Sequence, residues 1–251
     1  MQNRIILLER NLRHARHVQP PGSSLPAGDD SIITSLGGNS SVLAFYDGRS
    51  GVATSGANVT SWADVRGSVG FGPSLTATGT PTFASNKVSF GAGTDLHSAT
   101  TSLFTLTTPG SLLIACSNTG GANIAGISPS AAAATIINPG DNGTDYSIWT
   151  DHTTCISTVV VGTTIIPYVC SWDGNTAVTL QIPNQTLISG NANGTYTAGN
   201  CSFTLGGFFA NNGDNGNIVV TCAIIVNHQV NATETNAFRD YAVAQQGATA
   251  Q

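Results

Sequence analysis

The chain has 251 residues, 40% of them hydrophobic and only 8% charged, against about 25% charged in ordinary soluble domains. It is long enough for one large β domain with a real core, and its length forces no second one. Its surface must be built from Ser, Thr, Asn, Gly and Gln, which suits a protein held in an assembly or outside the cell and argues against a busy cytosolic enzyme.

Residues 1–18 are predicted to form a short helix. Ile5, Leu8, Leu12 and Ala15 make a one-sided apolar stripe, and Pro20-Pro21-Gly22 stops it. Arg4, Arg10, Arg13 and Arg16 against Glu9 give this arm a formal charge of +3 and leave −8 on the rest of the chain. A helix this short is not stable alone in water. The arm is therefore expected to anchor on a partner through Arg4, Ile5, Leu8, Arg10, Leu12, Arg13 and Arg16. Its apolar stretch, Ile5 to Leu8, is too short for the core of a secretion signal. The body has one lysine, Lys87, and no basic face to bind nucleic acid. Residues 19–38 are rich in Pro, Gly and Ser and are predicted to be a linker, so that residues 1–38 form arm and linker and 39–251 the folded domain.

From Ser40 to Val226 the pattern is β. Short β-branched and aromatic runs alternate with Gly, Asn, Asp, Pro and Ser clusters. The clearest predicted strands cover 41–46, 87–90, 111–117, 145–149, 155–161, 164–172, 177–182, 202–205 and 217–226. Asp173-Gly174 reads as a two-residue hairpin turn. The longest apolar run, Ile218 to Val226, is broken by Thr221 and too short to cross a bilayer. The five cysteines, Cys116, Cys155, Cys170, Cys201 and Cys222, sit in apolar strand-like runs without a Cys-x-x-Cys pair. They are expected to be buried free thiols, which fits a reducing compartment such as a bacterial cytoplasm. Asn231 and Glu234 have the spacing of a helix capping box, and a closing helix is predicted over 231–244.

Read together, several segments resemble one family. Leu43-Ala-Phe-Tyr-Asp47-Gly, Asn58-Val-Thr-Ser-Trp62-Ala-Asp64 and Lys87-Val-Ser-Phe90 resemble the opening of concanavalin A-like (laminin-G-like) jelly-roll domains. Tyr168-Val-Cys-Ser-Trp172-Asp-Gly174, Phe203-Thr-Leu-Gly206-Gly207 and the Ile218–Val226 run with its closing helix resemble the later part. The resemblance covers roughly residues 40–245, and residues 119–154 are not easily aligned. It implies an all-β fold: a two-sheet antiparallel jelly-roll sandwich with a short N-terminal helical arm and a short C-terminal helix. It also implies the kind of domain found in bacteriophage virion proteins.

The chemistry-bearing residues are sparse. Glycoside hydrolases of this fold need two facing carboxylates, but the only glutamates are Glu9 in the arm and Glu234 in the cap. Asp47 and Asp64 lie at turns in the family pattern. No Gly-x-Ser-x-Gly elbow accompanies His97, His152 or His228, and no phosphate loop or dinucleotide fingerprint is present. Trp62 and Trp172 are expected in the core. Trp149, with Asp151 and His152, is the best candidate for stacking on a glycan. Asp141, Asp145 and Asp214 lie in oxygen-rich loops and are weak calcium candidates without EF-hand spacing; no metal and no cofactor is expected. The functional expectation is a non-enzymatic bacteriophage virion structural protein, a capsid decoration or head/neck-fibre subunit. It would be anchored by its arm to other virion proteins, be self-associated (a trimer is one such arrangement) and be assembled in the host cytoplasm. The alternative is a carbohydrate-binding, lectin-like module on a phage or cell surface.

Overall fold

The computed structural model describes residues 25–66, 71–119, 123–129, 138–141, 145–150, 153–160, 162–182, 185–191, 198–207 and 217–249. The predicted arm helix over 1–18 lies outside them. Helix α1 is Asp29–Ser35, followed by strands β1 (Val42–Asp47), β2 (Val52–Ser55), β3 (Asn58–Trp62), β4 (Leu75–Thr78), β5 (Thr82–Ala84) and β6 (Lys87–Phe90). Then come β7 (Asp95–His97), β8 (Gly110–Asn118), β9 (Ala125–Ser128), β10 (Asn138–Asp141), β11 (Asp145–Thr150) and β12 (Thr153–Val160). The chain continues through β13 (Gly162–Trp172), β14 (Ala177–Gln181), β15 (Ile188–Asn191), β16 (Ser202–Leu205) and β17 (Ile218–Val226) to helix α2 (Ala232–Gln246).

One hydrogen-bonded ribbon runs β15-β14-β13-β8-β17-β6-β5-β3-β4-β7-β16-β9, with β1 on β17 and β2 on β3. Its ladders are antiparallel. The ribbon turns over at β5–β6, so its two halves face each other as the layers of a sandwich. Between them lie Leu112, Ile114, Tyr168, Trp172 and Ile225 from one half and Trp62, Leu75, Leu96, Phe203 and Leu205 from the other. Tyr46 stacks on Phe203 across the layers at 5.7 Å between ring centroids. The separate sheet β10-β11-β12 lies alongside β14 and β15 at one end and β9 at the other.

The other face of the first half is also apolar, because the helices cover it. Phe45, Leu113, Ala115, Ile165, Val169, Cys222 and Ile224 pack against Ile32, Ile33 and Leu36 of the α1 segment and Phe238, Tyr241 and Ala242 of α2. This explains why β8 is buried along its whole length and reads as a near-continuous apolar run. Two bulges set the faces. Register shifts at Val42/Ala44 in β1 and at Val220/Cys222 in β17 each reverse the alternation. Val220, Ala223 and Ile225 therefore point into the sandwich, while Cys222, Ile224 and Val226 point to the helices.

Three sequence expectations change. Residues 29–35, read as linker, form a helix whose Ile32 and Ile33 are buried; the flanking Pro and Gly concealed this short apolar stripe. The β13–β14 connection is not a two-residue turn. It spans residues 173–176, closed by Asp173 N–H to Ala177 O at 3.0 Å. The Asp173 carboxylate accepts from the N–H groups of Asn175, Thr176 and Ala177 at 2.8, 2.9 and 2.9 Å, so an Asx loop replaces the tight turn. The closing helix starts as expected, with Asn231 and Glu234 completing a capping box, and ends two residues later, at Gln246.

Candidate functional site

A groove of about 360 Å³ opens where the helical cover stops short of the sheet's edge. Its floor is the outward face of β13 and β14, presenting Val169, Ser171, Thr179 and Gln181. One wall is the chain entering α2, Gln229 to Ala232; the other carries Leu187, which is 54% exposed. Strand parity places these side chains. Tyr168, Cys170 and Trp172 point into the core, so Val169 and Ser171 must point out.

Proton bookkeeping fixes the polarity of the floor. Ser111 and Ser171 are cross-strand partners, both buried, with their hydroxyls 2.8 Å apart. Ser111 has one proton, and it goes to His228 O at 2.8 Å. Its oxygen accepts from Val230 N–H at 3.0 Å. Ser171 must therefore donate to Ser111, and its remaining lone pairs make it an acceptor. Asn231 accepts with Oδ1 from Thr233 and Glu234 N–H at 2.8 and 3.1 Å, which leaves its NH2 group as a donor. The side-chain amides of Gln181 and Gln229 make no hydrogen bond among the described residues, and each supplies both. Glu234 stands one turn into α2, engaged by His228 Nε2 at 2.8 Å and Asn231 N–H at 2.8 Å. The groove thus combines uncharged donors and acceptors with an aliphatic flank, Leu187 and Val230.

The charged side chains cluster elsewhere. Asp29 and Asp47 are fully buried around Arg49. The guanidinium binds Asp47 at 2.6 and 3.1 Å and also pairs with Asp29. Its Nη1 donates to Ala27 O at 2.8 Å and Gln245 Oε1 at 2.9 Å. Tyr241 Oη lies 2.6 Å from Asp47 Oδ2 and 2.9 Å from Asp29 Oδ1, and Gln246 donates to Asp47 at 2.8 Å. One phenolic proton thus faces two carboxylates. Burial, and then the Asp47 charge, push the Asp29 carboxyl up to about 7. Burial likewise pushes the Tyr241 phenol up. This cluster joins α1, the β1–β2 turn and α2. A second buried pair, Asp64 and Arg66 at 2.8 Å, accepts Phe45 N–H at 2.9 Å and Gly72 N–H at 3.1 Å and ties the neighbouring loop to β1. On the other half of the ribbon, buried Asp95 holds His97 Nδ1 at 2.6 Å.

Arg4, Ile5, Leu8, Arg10, Leu12, Arg13, Arg16, Asp151, His152 and Asp214 lie outside the described residues. Trp149 is on β11, paired with Asn138 and Thr154; Asp141 and Asp145 end β10 and begin β11. Asp145 is not among the described residues that line the groove. No group of three or more His, Cys, Asp or Glu able to hold a metal occurs among the described residues. Cys116, Cys170, Cys201 and Cys222 are free and buried, and burial raises each thiol. Trp62 and Trp172 are core residues. The sequence reading missed Ser171, Gln181 and Gln229. The available signal was Ser111 and Ser171, polar residues inside otherwise apolar strands.

No family model matches the chain, and no curated protein matches it. Solved structures do. Trypanosoma rangeli sialidase in complex with sialic acid aligns over 89% of this chain and 34% of its own, at 12% identity and a TM-score of 0.61. A GH54 α-L-arabinofuranosidase soaked with a cyclic sulfate inhibitor aligns over 74% of this chain and 51% of its own, at 11% identity and a TM-score of 0.56. Domain 4 of AbnA, a GH43 extracellular arabinanase from Geobacillus stearothermophilus, in complex with arabinotriose, aligns over 79% of this chain and 98% of its own, at 16% identity and a TM-score of 0.54. The chain thus spans a third of the sialidase and half of the arabinofuranosidase. At these identities the likeness is one of fold.

The expectation of a non-enzymatic phage virion protein is corrected here. These neighbours are carbohydrate-active enzymes and a domain of one, not phage proteins. The earlier expectation rested on low charge and on motifs that many sandwiches share, and a fold hosts many functions.

Proposed function

We propose that this chain is a carbohydrate-binding β-sandwich of the concanavalin A-like jelly-roll type, and that the groove over β13 and β14 holds the glycan. The observation that carries the reading is the groove's chemistry. Sugar hydroxyls each donate and accept, and the groove offers Ser171 as an acceptor, the Asn231 amide as a donor, and Gln181 and Gln229 as both. Leu187 and Val230 supply apolar surface for the C–H face of a sugar ring. The likeness to an arabinanase domain in complex with arabinotriose, nearly all of which is covered, supports the same reading.

The test is a glycan array probed with the full chain, followed by calorimetry on the glycans retained and an assay of the same mixtures for released reducing sugar. Saturable binding of an oligosaccharide is expected. An array with no retained glycan sinks the reading. Sugar release at a steady rate would show that the chain also cleaves what it holds.

A further inference from the structure

The groove's electrostatics narrow the class of sugar. This inference rests on the glycan-binding reading above. Among the described residues that line it, Val169, Ser171, Thr179, Gln181, Leu187, Gln229, Val230, Asn231 and Ala232, none carries a charge. A bound sugar acid would bring a carboxylate into a partly desolvated site, where an anion needs a cation or several oriented donors. The floor offers the reverse, since the Ser171 hydroxyl has spent its proton on Ser111 and faces the groove as an acceptor. The Glu234 carboxylate is held at the α2 N-terminus by Asn231 N–H and His228. Among the described residues the arginines are committed elsewhere: Arg49 to Asp47, Arg66 to Asp64, Arg239 to Asp240. Lys87 begins β6 and is not among the lining residues. Outside residues 1–18 the chain carries a net −8, which repels anions at long range.

We infer that the glycan taken by this groove is neutral, an uncharged pentose or hexose oligosaccharide, and that acidic sugars such as sialic acid are excluded from it. Recognition runs through hydroxyl-to-amide and hydroxyl-to-serine hydrogen bonds, so affinity does not depend on ionic strength.

The experiment titrates the full chain with arabinotriose, maltotriose and 3′-sialyllactose at low and high salt. It repeats each titration with the Gln181→Ala/Gln229→Ala double variant. Both glutamines are at least partly exposed, and thermal melting confirms that the variant folds. A neutral trisaccharide is expected to bind with the same affinity at both salt concentrations, and to lose about ten-fold or more in the double variant. Binding of sialyllactose that the double variant abolishes would overturn the inference while leaving glycan binding intact. Binding of a neutral sugar that the double variant leaves unchanged would remove the groove as the site and the inference with it. Failure of all three probes, with an uncharged glycan retained on the array, moves the titration to that glycan. An array that retains only acidic glycans overturns the inference, and an empty one overturns the function as well.

Discussion

Two polar regions flank the same sheet face, and they are built on opposite principles. The Asp29–Asp47–Arg49–Tyr241–Gln246 cluster is charged and buried, its ion pairs and hydrogen bonds made within the chain. The groove over β13–β14 is open and uncharged, with donors and acceptors that its own neighbours leave unused. Charge placed under the helices fixes where α1 and α2 sit, because a buried ion pair is intolerant of losing one member. Neutral polar groups at the helix margin need no such partner in water and remain available to a ligand. Among the described residues, the few buried ionic groups thus set geometry.

The comparison breaks most sharply at Arg49. Arg49→Ala leaves two buried carboxylates without their cation and should cost about 3–5 kcal/mol in denaturant unfolding. Affinity for the glycan, measured well below the melting temperature, should stay near that of the parent, since Arg49 does not line the groove. If the loss of Arg49 leaves stability unchanged, the cluster is not what holds the helices.

Tyr241→Phe removes the hydroxyl bridging the two carboxylates and should cost about 1–3 kcal/mol, with the edge-on contact of its ring on Phe45 kept. A pH titration reads the same cluster. Asp29 ionises near pH 4 in the unfolded chain and near 7 in the folded one. Between those values the folded state holds a proton that the unfolded state has released. Its contribution is therefore fully present below about pH 4 and lost as pH rises to 7. Asp29→Asn should flatten that slope. A midpoint that falls over the same pH range in the variant as in the parent would assign the effect to other groups.

How much of this was legible in the sequence depended on sequence distance. β6 and β16 are read to the residue, and the cap at Asn231 is complete, because a strand's period and a helix cap are local signals. The short strands β2, β4, β5, β7, β9, β10 and β15 carry three or four residues each and too little apolar character to stand out. The buried charged cluster and the groove were not legible because their members are far apart. Asp29 meets Tyr241, and Ser111 meets Ser171, only once the ribbon has folded and its two bulges have set which face each strand presents. Asp47 and Asp64 were placed at turns by family pattern; both stand directly before turns, and the fold also makes them buried anchors.

Asn231 belongs to both regions and gives the finest discrimination between them. Its side-chain oxygen caps α2, and the residue also lines the groove. Asn231→Ala should therefore cost about 1 kcal/mol of stability through the lost cap and also weaken glycan binding. Asn231→Asp separates the two. A carboxylate caps as well as an amide and is favoured by the positive end of the helix dipole, so stability should stay within about 0.5 kcal/mol of the parent. The donor, however, is gone and a negative charge now lines the groove, so a neutral oligosaccharide should bind several-fold more weakly while the fold is untouched. Calorimetry with unfolding on the same samples decides it. Unchanged affinity in both variants would leave Asn231 a cap alone and shift recognition to Gln181, Gln229 and Ser171.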